Sequence, residues 1–235
     1  MFIGEIAIPT LEELFINRIE QQILSGRLQP GDKLPSERQL QEETKISKTV
    51  IHAGLVALEK KGFIEIKPRC GAFVLDHRVT GSLEAVNALI QYNGGRMTQQ
   101  QIQSFFEFRI AVEGTALKRL ALCHTDEMIQ ELEKLLVQAE NAAQKSEVNV
   151  YELAELFFLY QRCICVFSGN EFFPPLLNEF KPIIIQFWES SINRFGPIPN
   201  VRLARKYLND IIRGDDEAAM DRLVRSSKTY VSSEH

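Results

Sequence analysis

Apolar residues recur at helical spacing between Thr10 and Ser25, at Leu11, Leu14, Phe15, Ile19, Ile23 and Leu24. That spacing predicts an amphipathic helix capped by Thr10 and stopped at Gly26. A Pro30-Gly31 turn follows, and Leu34-Pro35 leads the chain to Ser36. Ser36 with Gln39 three positions on forms a capping box, which opens a short helix to about Thr44. A further helix is predicted from Ser47 to Lys61, burying Val50, Leu55 and Leu58 and ending at Gly62. Two alternating stretches, FIEIKP and GAFVLD, then read as strands about a turn at Pro68, Arg69, Cys70 and Gly71. Three helices and a hairpin in this order describe a winged helix-turn-helix, with a second short helix placed to enter the major groove of DNA.

Beyond it the pattern changes. HRVTGS, residues 77–82, reads as a linker, and the rest reads as helix only, near 83–93, 98–123, 126–145, 148–168, 171–195, 198–213 and 215–231. Thr98, Thr125 and Asp215 are suitable caps, and Gly169 and Gly214 are suitable stops. The expected fold is therefore mainly α. It has a winged helix-turn-helix over 1–76, a linker over 77–82 and an all-helical domain over 83–235.

The length of 235 residues suits two modest domains, and 45% apolar with 25% charged residues is ordinary for a globular protein. No apolar run approaches the roughly 18 residues of a membrane span. Residues 1–20 show no secretory signal. Cys70, Cys123, Cys163 and Cys165 lack the spacing of a zinc site or a disulfide framework, so free thiols in a reducing cytoplasm are expected. The net charge of −4 does not advertise a nucleic-acid binder. Residues 1–78 hold 11 basic and 11 acidic side chains, against 16 and 20 in the remainder. DNA affinity must then come from a local basic face, not a global field.

The string GRLQPGDKLPSER, residues 26–38, resembles the opening motif of the GntR family of bacterial transcription regulators, G-x-L-x-P-G-x-x-L-P-S-E-R. The helical half is similar to the ligand-sensing FCD domain of the FadR branch, an antiparallel bundle. FEFRIAVEGTALKRLA, FSGN at 167–170 and IIRGDDEAAM at 211–220 carry that similarity. The resemblance implies a homodimer joined through the bundle, reading a short palindromic operator, with a small-molecule effector and no membrane.

The candidate DNA contacts are Arg38, which opens the second helix, and Lys48, Thr49 and His52 on the third. Lys48 and His52 lie four apart and share a face. The family usually has Arg at both positions, and Lys lacks the planar fork of a bidentate contact. Lys67, Arg69 and Gly71 place a basic wing tip near phosphate or the minor groove. The family commonly has glycine where Arg69 stands.

Many FCD domains hold a divalent metal through one Asp and three His. Counting from FSGN and from Asp215 places those positions at Phe157, Gln161, Ala204 and Ser226. The chain's histidines are His52, His77, His124 and His235, so residues 125–234 contain none. No imidazole-based metal site and no cofactor are expected. Phe157, Phe158, Tyr160, Phe187 and Trp188 instead suggest either plain core or an apolar cavity with few polar anchors. Arg109 is the best anchor for an effector carboxylate, unless it simply pairs with Glu113 one turn away. Gln161, Asn170 and Arg205 are weaker candidates, and Phe157 would line the site. The expected function is a DNA-binding repressor that responds to an organic acid with an apolar portion. The alternative is a DNA-binding dimer whose bundle is only a scaffold. An enzyme is disfavoured by the histidine inventory.

Overall fold

The computed structural model describes residues 9–232; the ends of the expected domains, 1–8 and 233–235, lie outside the described residues. The chain forms two compact units that divide between Arg96 and Met97.

In the first unit, α1 (Leu11–Leu24) and α2 (Glu37–Thr44) both open on complete capping boxes, Thr10 with Glu13 and Ser36 with Gln39. The third helix, α3 (Lys48–Lys60), is capped by Ser47. The buried stripe is Phe15, Ile16, Ile19 and Ile23 on α1, facing Ile51, Leu55 and Leu58 on α3. Leu11 and Leu14, expected on that stripe, are exposed, and Val50 is only half-buried while Ile51 is wholly buried. Each helix is rotated slightly from its sequence-only phase because the facing helix selects the stripe. Gly54 permits the close approach of α1 and α3, since a Cβ there would stand 2.6 Å from Phe15 Cδ1.

The strands β1 (Ile64–Lys67) and β2 (Gly71–Val74) pair antiparallel, with Ile64 opposite Val74 and Lys67 opposite Gly71. The segment before α2 joins them. Lys33 bridges to Phe73, Leu34 N–H donates to Ala72 O at 2.9 Å, and Val74 N–H donates to Asp32 O at 2.8 Å. The Pro-Gly turn thus ties the start of α2 to the wing.

The stretch expected as a linker is folded. Asp76 caps a one-turn helix, α4 (His77–Thr80). Thr80 Oγ1 donates to Gly62 O at 2.8 Å, and Ser82 N–H donates to Lys61 O at 2.9 Å. Gly62, at φ +80°, is required because a Cβ there would lie 2.1 Å from Thr80 O. The next helix, α5 (Leu83–Tyr92), places Ala85 in the core of the first unit. The compact units therefore divide later than the expected spans of 1–76, 77–82 and 83–235, with 83–92 grouped with the winged helix. The reason is tertiary: residues 77–82 satisfy the exposed end of α3, which no local pattern announces.

The second unit is helical throughout its described residues. It contains α6 (Gln99–Arg109), a wide turn of π-helix at Ile110–Gly114, α7 (Thr115–Cys123) and α8 (Asp126–Ala143). These are followed by α9 (Val150–Phe167), α10 (Phe173–Glu179), α11 (Lys181–Phe195), α12 (Pro197–Ile212) and α13 (Asp216–Ser232). The helix expected over 171–195 is broken at Phe180, next to Pro182, whose ring and missing N–H suit only a helix start. The π turn brings Gly114 against α13, where a Cβ would meet Met220 Sδ at 2.4 Å. At the centre of the unit α9 packs against α8, α11 and α7 and buries Phe157, Phe158, Tyr160 and Gln161. Among the described residues no helix is long and apolar enough to cross a membrane.

Candidate functional site

The first candidate surface is the exposed face of α2 and α3. Arg38, Lys48, Thr49 and His52 are all exposed, and the last three share one side of the first turns of α3. Glu37, the first residue of α2, is close to both Lys48 and His52. His52 Nδ1 lies 2.8 Å from Glu37 Oε1, and Lys48 Nζ lies 3.8 Å from Oε2. Arg38 pairs loosely with Glu42 at 3.7 Å. Exposed pairs of this kind contribute about 0–1 kcal/mol, so a phosphate can displace them. Glu37 is not legible in the sequence as a neighbour of Lys48, because its position opposite Lys48 depends on the crossing of two helices.

The wing presents Lys67, Arg69 and Gly71, all exposed. Lys67 pairs with Glu65 at 3.2 Å and sits 5.2 Å from the centre of the Phe73 ring. Arg69 has φ +63°, a left-handed conformation that costs little for glycine and more for arginine. That backbone requirement accounts for the glycine expected at this position by resemblance. Here the strain carries a positive side chain at the tip of the hairpin.

In the second unit, Arg109 and Glu113 are both buried and form a two-pronged ion pair, Nε to Oε1 at 2.9 Å and Nη2 to Oε2 at 2.8 Å. Gln161 Nε2 donates to Glu113 Oε2 at 3.0 Å, and Trp188 Nε1–H donates to Gln161 Oε1 at 2.9 Å. The guanidinium carbon of Arg109 lies 4.9 Å from the Phe187 ring centre and 5.5 Å from that of Trp188. Phe157 stacks on Trp188 at 4.5 Å. The structure thus brings Arg109, Phe157 and Gln161 together, but as a closed network. They border an inner cavity of only 30 Å³, room for about one water.

A second cavity of 660 Å³ opens beside it, lined by residues of α6, α11, α12 and α13. That volume is in the usual range for small-molecule sites. Arg109 borders both cavities. The outer one adds Phe106, Phe187, Tyr207, Arg222, Ser226 and Tyr230, among others. The sequence reading did not single out Tyr207, Arg222 or Tyr230.

Asn170 and Arg205 lie elsewhere. Asn170 Oδ1 accepts from Phe172 N–H at 2.9 Å in a local turn. Arg205 reaches α8, donating to Glu140 Oε1 at 2.7 Å and to Glu133 Oε2 at 2.5 Å. Neither borders either of these two cavities, and Arg205 joins α12 to α8.

The positions counted for a metal do not fit one. Phe157, Gln161 and Ala204 border the inner cavity, and Ser226 Oγ is engaged with the Tyr207 hydroxyl at 3.0 Å. Neither Phe nor Ala has a donor atom, and the oxygen of Gln161 is used by Trp188. Among the described residues, no three His, Cys, Asp or Glu side chains cluster as ligands.

The sequence profile of bacterial regulatory proteins of the gntR family matches residues 12–74, and that of the FCD domain matches residues 104–226. An uncharacterized HTH-type transcriptional regulator, YieP, of Escherichia coli is 25% identical over 209 residues, 89% of each chain. The Uxu operon transcriptional regulator of the same organism is 29% identical over 93 residues, 40% of this chain and 36% of that protein. A solved structure of Listeria monocytogenes Lar, described as controlling expression of the agr system and mediating virulence, is similar in fold. It has a TM-score of 0.63 at 14% identity, with 96% of this chain and 97% of that one covered.

Proposed function

The chain belongs to the FCD-domain family, with an N-terminal domain of the gntR type, and we propose that it works as a homodimeric, effector-responsive repressor of transcription in the cytoplasm. Residues 12–74 match bacterial regulatory proteins, and the similar proteins from Escherichia coli are transcriptional regulators, which supports DNA-binding regulation and not enzymatic activity. The repressor sense, the dimer, a palindromic operator and an organic-acid effector are our reading. The observation that carries it is the pairing of an exposed Lys48–Thr49–His52 face with a helical unit that encloses a 660 Å³ cavity.

In this reading Arg38, Lys48, Thr49 and His52 meet bases and phosphates, and Lys67, Arg69 and Gly71 follow the backbone from the wing. Glu37 holds Lys48 and His52 in one orientation until DNA takes them. Lys48→Ala is expected to weaken binding to the selected operator by about 1–3 kcal/mol, measured by fluorescence anisotropy at fixed salt. Equal affinity of the variant and the parent would remove Lys48 from the reading face.

Sensing without metal follows from the donor set at Phe157, Gln161, Ala204 and Ser226. Chelator treatment is expected to leave both the melting temperature and the operator affinity unchanged, since no ligand-stabilised state is lost. A fall in melting temperature after chelation, reversed by one equivalent of zinc or manganese, would contradict this.

A further inference from the structure

A second arginine, Arg222, borders the outer cavity besides Arg109. Asp210 on α12 is fully buried and accepts from Arg222 through Nε at 2.5 Å and Nη2 at 3.1 Å, and also from Arg213. Arg222 is therefore held by the same guanidinium edge, Nε and Nη2, that Glu113 uses to hold Arg109. In both pairs Nη1 takes no part. Each arginine also borders the cavity. A guanidinium oriented in advance by a buried carboxylate loses little further freedom when it meets an anion.

Tyr207 belongs to the same wall. Its hydroxyl bonds Ser226 Oγ at 3.0 Å. Burial raises its pKa and Glu113 adds to the rise, while Ser226, Arg109 and Arg222 act against it. Much of the remaining lining is aromatic. Phe187 stands 5.4 Å from Phe106 and 5.0 Å from Tyr230, centre to centre. Asp215, Glu217 and Asp221 also border the cavity. Asp221 is matched by Arg225 at 3.0 Å, and Asp215 accepts the Ala218 N–H at the start of α13. Lys206 and Arg225 border it as well, so the lining carries both signs, and Arg222 is, with Arg109, a cation there that a buried carboxylate orients.

We propose that the effector is a flat aryl carboxylate seated in this outer cavity, its carboxylate on Arg222 and the Tyr207–Ser226 hydroxyls and its ring against Phe106, Phe187 and Tyr230. The proposal rests on the reading above that the bundle senses an organic acid, and gives it a place and a chemical class. The inner cavity is unsuited to that acid. Its 30 Å³ has room for about one water, and a carboxylate there would have to displace Glu113 from Arg109.

The test is calorimetric titration of the full chain with benzoate, phenylacetate and 2-naphthoate, each against its neutral amide. Arg222 is left in place, because its loss would strand the buried Asp210. Tyr207→Phe removes one donor from the carboxylate and is expected to weaken the best acid about tenfold. Ala218→Phe fills the outer cavity from α13 and is expected to abolish binding, with the amides binding weakly or not at all. Undiminished binding in either variant, or equal binding of acid and amide, overturns the proposal and leaves acid sensing by the bundle standing. If none of these acids binds the parent protein, the proposal falls, and acid sensing by the bundle falls with it only if octanoate and hexanoate also fail to bind.

Discussion

Arg109→Ala is expected to lower the stability of the helical unit by about 3–5 kcal/mol, since it leaves a buried carboxylate without its cation. Glu113 is 4% exposed and Arg109 5%, so water cannot replace the lost partner. The loss spreads further. Gln161 bonds both Glu113 and Trp188, so a displaced Glu113 also loosens the α9–α11 packing at the stacked Phe157 and Trp188 rings. The cavity left among four aromatic rings adds to the cost. The double variant Arg109→Met with Glu113→Gln removes both charges and keeps an acceptor for Gln161. It is expected to be more stable than Arg109→Met alone, a non-additivity that chemical denaturation of Arg109→Met, Glu113→Gln and the double variant measures. Strictly additive losses would show that the pair is not a unit.

Operator binding is expected to fall by about 10³–10⁵ between 50 and 200 mM salt, the loss for roughly 6–10 phosphate contacts. A dimer presenting Arg38, Lys48, Lys67 and Arg69 twice is in that range. The chain has no compensating global field, because its net charge is −4 and residues 1–78 are balanced. Each of Arg38, Lys48 and Lys67 also has a carboxylate of its own within 3.2 to 3.8 Å, which regains the cation when phosphate leaves. Anisotropy titrations over a salt series give the slope. A flat dependence would mean that these side chains do not meet the backbone of DNA.

The legible parts of the fold are those that local chemistry decides. Thr10, Ser36 and Thr98 cap as their spacing predicts, and Gly62, Gly169 and Gly214 end helices with positive φ. The exposed Leu11 and Leu14 show where local reading stops. An apolar stripe is wider than the face it buries, and the partner helix chooses its edge. HRVTGS reads as a linker because it is polar, yet it is held by Gly62 and Lys61, and that contact is visible only in three dimensions.

The site divides in the same way. Phe157 and Gln161 lie four apart on one helix, so their shared face is legible, and Arg109 pairs with Glu113 within one turn. Arg205 finds Glu133 and Glu140 on a distant helix, which no spacing reveals. Arg222 went unremarked for the same reason. One signal was present: Asp210 sits three residues after Tyr207 and one before Ile211, a carboxylate on a buried stripe. A charge in that position needs a cation, and Arg213 and Arg222 supply it.

The central claim is that this chain reads DNA sequence through the face of α3. Selection of bound duplexes from a random pool by the purified full chain, at fixed salt, tests it most directly. Enrichment of one motif with two-fold symmetry is expected, its half-sites about one helical turn or less apart, with loss of that enrichment in Lys48→Ala. A recovered pool with no shared motif, or the same motif recovered equally by Lys48→Ala, would contradict it.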